Sequence, residues 1–189
     1  MEFNIKDRIK PDAKILLIKL RSIGDVVYNT AVYSPIKKHL PNARLTVLVE
    51  SASYEIVKNH PDVDEVLCFK KGSFFEQVKF YLNLIWSRYD VAIDMHEGTR
   101  GAVMCFLSFA RFKIGGKFAR RSFLYNTKIN FSDLKPAIPL DYQVALISKL
   151  GVPFENPQPI IHVSNAWLKS AHDLLISKNF DLEKPYCII

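Results

Sequence analysis

The stretch Lys14 to Asn29, KILLIKLRSIGDVVYN, decides the fold. A near-continuous apolar run from Ile15 to Leu20 enters the small turn Arg21-Ser22-Ile23-Gly24, and the residues from Asp25 onward read as a helix. An apolar run bounded by a glycine turn and followed by a helix is what a parallel strand covered on both faces requires. The expected architecture is therefore α/β, a Rossmann-like parallel sheet with helices on both faces. Such open sheets bind ligands at the carboxyl ends of their strands, where Asp25 falls. The positive end of a helix favours an ionised carboxylate at that position. Aspartate is also a common residue of helix N-termini, so Asp25 taken alone reads as a cap before it reads as a catalyst.

Outward from this stretch the chain alternates in the same way. Strands are expected at Arg44 to Val49, Glu65 to Phe69, Val91 to Met95 and Ile160 to Val163. Helices are expected at Tyr54 to Asn59, Phe74 to Arg88, Thr99 to Arg111, Asp141 to Leu150 and Asn165 to Lys178, and Ser34-Pro35 reads as a helix start. Phe74, Phe75, Val78, Tyr81, Leu82, Ile85 and Trp86 recur at helical spacing, which predicts one buried face. Lys184 to Ile189 opens a further apolar strand, and the sequence stops inside it.

Composition bounds the function. The 189 residues suffice for one ordinary domain, and 49% hydrophobic with 24% charged residues is usual for a soluble globular protein. No apolar run is long enough to span a bilayer, and the leader MEFNIKDRIKPD lacks the apolar core of a signal peptide; a cytoplasmic location is expected. Cys68, Cys105 and Cys187 are far apart and odd in number, which argues against a disulfide framework and predicts reduced core residues. A formal net charge of +7 favours anionic partners without choosing among them.

Two further stretches carry chemistry. At the end of the Val91 strand stands Asp94-Met95-His96-Glu97-Gly98-Thr99-Arg100. It reads either as a metal site built on Asp94, His96 and Glu97 or as a contact loop for sugar and phosphate, in which Gly98 admits a ligand and Arg100 grips an anion. The stretch Phe112 to Phe123, FKIGGKFARRSF, interleaves Lys113, Lys117, Arg120 and Arg121 with aromatics. That pattern suits single-stranded nucleic acid and equally a solvated loop beside a short strand.

The ordered series of segments resembles the ADP-heptose:lipopolysaccharide heptosyltransferases, the family 9 glycosyltransferases. The segments are Ile23-Gly24-Asp25-Val26-Val27, Leu40 to Val49, Asn59-His60-Pro61-Asp62-Val63-Asp64-Glu65-Val66, Tyr89-Asp90-Val91-Ala92-Ile93-Asp94 and Lys149-Leu150-Gly151. The resemblance implies the N-terminal domain of a two-domain GT-B enzyme, with a leader over 1–13, an acceptor-side domain over 14–180 and the start of a truncated nucleotide-sugar domain over 181–189. It implies Asp25 as general base and Ser22, Gly24, Glu97, Gly98, Arg100, Arg120 and Arg121 as acceptor contacts. ADP-heptose is then the donor, with no metal or other cofactor. The partners are a phosphorylated lipopolysaccharide core acceptor and the missing C-terminal domain, with room for peripheral contact with the inner membrane and no role for nucleic acid. A half-chain of this kind is not expected to turn over alone. Relatives often carry proline where Val32 stands and histidine near Asp141, so roles at those two places do not transfer. The rival readings are a non-catalytic nucleotide- or phosphosugar-binding module and a transferase of the same family that uses another sugar.

Overall fold

The computed structural model describes residues 5–131, 139–153 and 157–180. Six parallel strands form one sheet in the order β3-β2-β1-β4-β5-β6. They are β1 (Lys14–Ile18), β2 (Arg44–Glu50), β3 (Glu65–Phe69), β4 (Val91–Asp94), β5 (Phe112–Gly116) and β6 (Thr127–Ile129). Ile15 and Leu17 project to one face, and Leu16 and Ile18 to the other; all four are fully buried. Each such side chain contributes about 1.5–3 kcal/mol by leaving water. This double burial explains why the strand reads as an unbroken apolar run rather than an alternating one.

On one face α1 (Ile23–Thr30), α2 (Tyr33–His39), α3 (Tyr54–Val57) and α6 (Pro139–Ser148) cover the cluster containing Leu17, Val47 and Ile93. On the other, α4 (Phe74–Trp86) and α5 (Thr99–Leu107) cover Ile18, Leu48 and Ala92. α7 (Asn165–Ser177) and the segment before it lie on the α1 side: the Ile160 backbone N–H bonds Thr30 Oγ1 at 2.9 Å, and the His162 ring meets His60 at 4.6 Å.

Several expectations need correction. Ile160 to Val163 is not a strand; among the described residues no strand pairs with it, and Ile160, Ile161 and Val163 are exposed. β6, only three residues long, was not expected. α7 is capped by Ser164, whose Oγ accepts from Trp167 N at 3.2 Å, rather than by Asn165. The apolar stripe of α4 points outward: Leu84 is its one fully buried residue, with Phe80 and Tyr81 packed beside it, while Phe74, Phe75, Val78, Leu82 and Trp86 stand in solvent. α4 carries apolar residues on two sides, and spacing alone does not say which side the sheet takes. Cys105 is buried and Cys68 half-buried, and both are free thiols. Lys135 to Pro136, Cys187 and the strand expected at Lys184 lie outside the described residues.

Candidate functional site

β1 and β4 are neighbours, yet the chain leaves them toward opposite edges of the sheet, β1 toward β2 and β3 and β4 toward β5 and β6. The carboxyl ends of two such strands bound the crevice where open α/β sheets take their ligands. The turn after β1 brings Ser22, Gly24 and Asp25 to this crevice. Asp25 occupies the third position of α1 and reaches back to accept from the Ser22 backbone N–H at 3.4 Å, half of a capping box. A Cβ placed on Gly24 would meet nothing within 4 Å, so the flank beside Asp25 is open. The Arg21–Ser22 peptide bond is cis.

Lys19, at the end of β1, joins the two strand ends. Its Nζ donates to the Met95 carbonyl at 2.9 Å and lies 3.4 Å from Asp25 Oδ2. The Asp25 side chain keeps 40% exposure, and that of Lys19 only 11%. The backbone under Asp25 is fixed from α6, where Gln143 Nε2 donates to the Asp25 carbonyl at 3.3 Å. Gln143 Oε1 in turn accepts from Asn29 Nδ2 at 2.8 Å, and Asn29 Oδ1 accepts from Tyr33 Oη at 2.8 Å. The catalytic candidate is thus exposed at its tip and held at its root.

At the end of β4, Asp94 is fully buried and ties the contact loop together. Its Oδ1 accepts from the backbone N–H groups of His96 (2.9 Å) and Glu97 (3.2 Å), and its Oδ2 from Tyr125 Oη (2.6 Å). Burial pushes its carboxyl up to about 6, against the opposing pull of the Tyr125 hydroxyl, the two N–H groups and Lys19. Among the described residues no three His, Cys, Asp or Glu side chains gather as a metal site; Asp94 is engaged as a fastener.

Burial and then the nearby Asp94 push the Glu97 carboxyl up, with Lys19 opposing. Burial and then the positive charges of Lys19 and Arg21 push the His96 imidazole down. Gly98 gives the room that the His96 ring occupies, and Gly116 at the end of β5 gives room to the Glu97 carboxyl. Glu97, Phe118, Ala119, Arg120, Phe131 and Tyr142 line a cleft of about 410 Å³. Arg121 is exposed on the turn beyond. Arg100 stands apart from this cleft: its Nη1 binds Glu50 Oε1 at 2.7 Å, and its guanidinium lies over the Phe69 ring at 5.3 Å. Lys19 and Gln143 join this candidate site through their contacts with Asp25, and neither was singled out in the sequence.

The Asp94 fastener makes two predictions. A Cβ on Gly101, in the first turn of α5, would overlap the Asp94 carboxyl. The carboxyl cannot withdraw without breaking its hydrogen bonds, so overpacking, about 1–3 kcal/mol, outweighs the roughly 1 kcal/mol that alanine gains over glycine in a helix. Gly101→Ala is expected to lower the urea midpoint with an unchanged slope. The second prediction is a pH effect. The native state holds the Asp94 proton to higher pH than the unfolded chain, so between 3.8 and about 6 the native state binds more protons and this group's contribution to stability falls as pH rises. Asp64 has the opposite sign: burial acts against it, but the Leu45 N–H and Lys37 hold its carboxyl below the usual range. The difference between wild type and Asp94→Asn isolates the effect; wild-type stability relative to the variant should decline from pH 4 to pH 6 and then level.

The sheet order and the crevice at its switch point make a Rossmann-like α/β domain, and its fold matches half of family 9 glycosyltransferase structures of the GT-B kind. Family 9 glycosyltransferase from Veillonella parvula DSM 2008 superimposes with a TM-score of 0.75 at 18% identity, over 96% of this chain and 52% of that one. Escherichia coli heptosyltransferase WaaC with ADP-2-deoxy-2-fluoro heptose gives a TM-score of 0.67 at 20% identity, over 77% of this chain and 51% of that one. No protein-family model matches the sequence. In sequence the chain is 25% identical over 142 residues to lipopolysaccharide heptosyltransferase 3 of Escherichia coli, covering 70% of this chain and 42% of that protein. The chain is a distant homologue of the lipopolysaccharide heptosyltransferases of glycosyltransferase family 9, and it spans about half the length of the relatives it matches.

Proposed function

We propose that this chain is the acceptor-side half of an inverting glycosyltransferase that moves a heptose from ADP-heptose to a phosphorylated sugar of the lipopolysaccharide inner core. The observation that carries this reading is Asp25: an accessible carboxylate, oriented by the Ser22 N–H and Lys19, at the switch point beside an arginine-bearing cleft. One structural relative is described with a fluorinated ADP-heptose analogue, which supports the donor class.

In this mechanism Asp25 accepts the proton of the acceptor hydroxyl. A carboxylate is a weak base, but the hydroxyl becomes acidic as its oxygen bonds to the electron-poor sugar carbon, so the proton leaves late. Arg120 and Arg121 meet phosphate or carboxylate groups of the acceptor, to which guanidinium binds in a two-pronged fashion. Glu97, with Gly98 beside it, orients acceptor hydroxyls. Arg100 serves at one remove, holding Glu50 at the end of β2. The departing ADP is stabilised by helix N-termini and basic groups of a C-terminal half like the one the relatives carry.

The test extends the reading frame past Ile189 and assays transfer from ADP-heptose to a heptose-deficient lipopolysaccharide, with and without a chelator. Chelator-resistant transfer is expected. No transfer, together with no binding of ADP-heptose, would overturn the assignment.

A further inference from the structure

His60 stands outside the crevice, between α3 and β3, and its side chain is fully enclosed. It lies between two rings, Tyr33 of α2 at 5.1 Å and His162 of the segment before α7 at 4.6 Å, both edge to face. Its Nδ1 accepts from the Asp62 backbone N–H at 3.2 Å, which leaves the proton of the neutral ring on Nε2. That Nε2 is buried and has no hydrogen-bond partner among the described residues. A second proton would have to sit on Nδ1, against the N–H that Nδ1 now accepts from. The charged ring cannot keep its present place.

The groups that face His60 set the direction of the effect. Burial, and then His162, hold its imidazole below the usual 6.5, while Asp62, with Oδ2 at 3.9 Å from Nδ1, opposes them. The Asp62 carboxylate is also engaged by the Ser34 hydroxyl. Burial keeps the Tyr33 hydroxyl protonated, and it donates to Asn29. Lys58, which follows α3, is paired with Glu55 and lies over the Trp167 ring at 5.9 Å. The segment that brings His162 here also bonds α1, through the Ile160 N–H on Thr30 Oγ1 at 2.9 Å. Its own apolar side chains, Ile160, Ile161 and Val163, stand about half in solvent, and no residue of α7 is buried. A segment with so little buried apolar surface opens at small cost.

We infer that His60 and His162 form a proton-sensitive latch, in which a proton on His60 releases residues 157–163 and α7 from the sheet domain. Release opens His60 to water, where the ring takes a proton at its usual pH, so the released state binds more protons than the docked one. Docking is therefore complete above 6.5 and weakens as pH falls below it. Release also removes the bond at Thr30, the last residue of the helix whose first turn carries Asp25. The latch does not depend on the proposed transfer, since docking is read without any reaction.

The experiment follows amide exchange in the 189-residue chain from about pH 8 to about pH 5, each rate divided by that of the same amide in an unfolded peptide. Protection of Ile160 is expected to fall below pH 6.5, by at most about tenfold per pH unit for one proton, while Leu16 and Leu17 in β1 keep theirs. Trp86→Phe leaves Trp167 as the single fluorophore, and its emission should shift to the red over the same range. His60→Phe keeps a ring between Tyr33 and His162 but takes no proton, and protection of Ile160 should then be flat with pH. His162→Phe keeps the ring contact and removes the neighbouring charge, and the acid loss should become shallower. Any of three results would overturn the inference: protection of Ile160 flat with pH in the wild type; an acid loss as steep in both variants as in the wild type; or a loss shared by Leu16 and Leu17, which would mean acid unfolding of the whole domain. Should His60→Phe fail to fold, the slope in His162→Phe, at a half-buried position, decides alone.

Discussion

Asp25→Asn in the protein extended past Ile189 is expected to lower heptose transfer by about 10²- to 10⁴-fold, the share ordinarily carried by a positioned general base. Asparagine retains an oxygen that can accept from the Ser22 N–H, so the turn and α1 should keep their geometry. It cannot accept the hydroxyl proton. The loss is therefore expected in kcat, with ADP-heptose binding and the thermal midpoint close to wild type. Near-normal turnover in this variant would remove Asp25 from the chemistry and leave it as the helix cap its position also allows.

Lys19→Met is expected to lower transfer by about 10²-fold, because misplacing a reacting group by about 1 Å costs that much. Methionine fills much of the space of the lysine stem but bonds neither the Met95 carbonyl nor Asp25. In the proposed mechanism Lys19 is a positioning residue that acts through Asp25. The double variant Asp25→Asn/Lys19→Met should thus be no slower than Asp25→Asn alone, a non-additivity expected of residues that work as a unit. Additive losses would show that Lys19 contributes by another route. Some stability, roughly 1–3 kcal/mol, should also go with the bond to Met95, so transfer is to be compared at a temperature where both proteins are folded.

Much of the architecture was readable because the physics that makes it is local. The run Ile15 to Leu20 announces a strand buried on two sides, and the glycine turn with Asp25 announces a helix start; the structure has both, with the strand ending at Ile18 and the helix opening at Ile23. Ser22, Gly24 and Asp25 fall together because four residues of turn leave them nowhere else to go. Glu97 and Gly98 reach the same crevice because β4 pairs with β1, which no segment reveals by itself. Lys19 was invisible for a related reason. In ILLIKL it looks like a solvated cation at a strand end, and only the neighbouring strand supplies the Met95 carbonyl that holds it. The Gln143 contact spans 118 positions, beyond any local pattern. Thr127 to Ile129 is too short to show a period, whereas the apolar residues from Ile160 mimic a strand that has no partner among the described residues. The outward stripe of α4 misled for the opposite reason. Helical spacing was read correctly, but burial is decided by what stands opposite, and nothing in the described residues does.

One residue of the cleft sits there at a cost to the fold. Glu97 holds a left-handed backbone conformation, φ 55°, which costs a non-glycine residue of order 1 kcal/mol or more, and burial further penalises the ionised form of its carboxylate. Glycine at this position would remove both penalties at once. An engineering campaign that rewarded heat resistance alone would therefore discard this side chain early, and with it the acidic wall opposite Arg120. Hardening this protein and preserving the cleft shared by Glu97 and Arg120 are competing objectives, and position 97 is where they part.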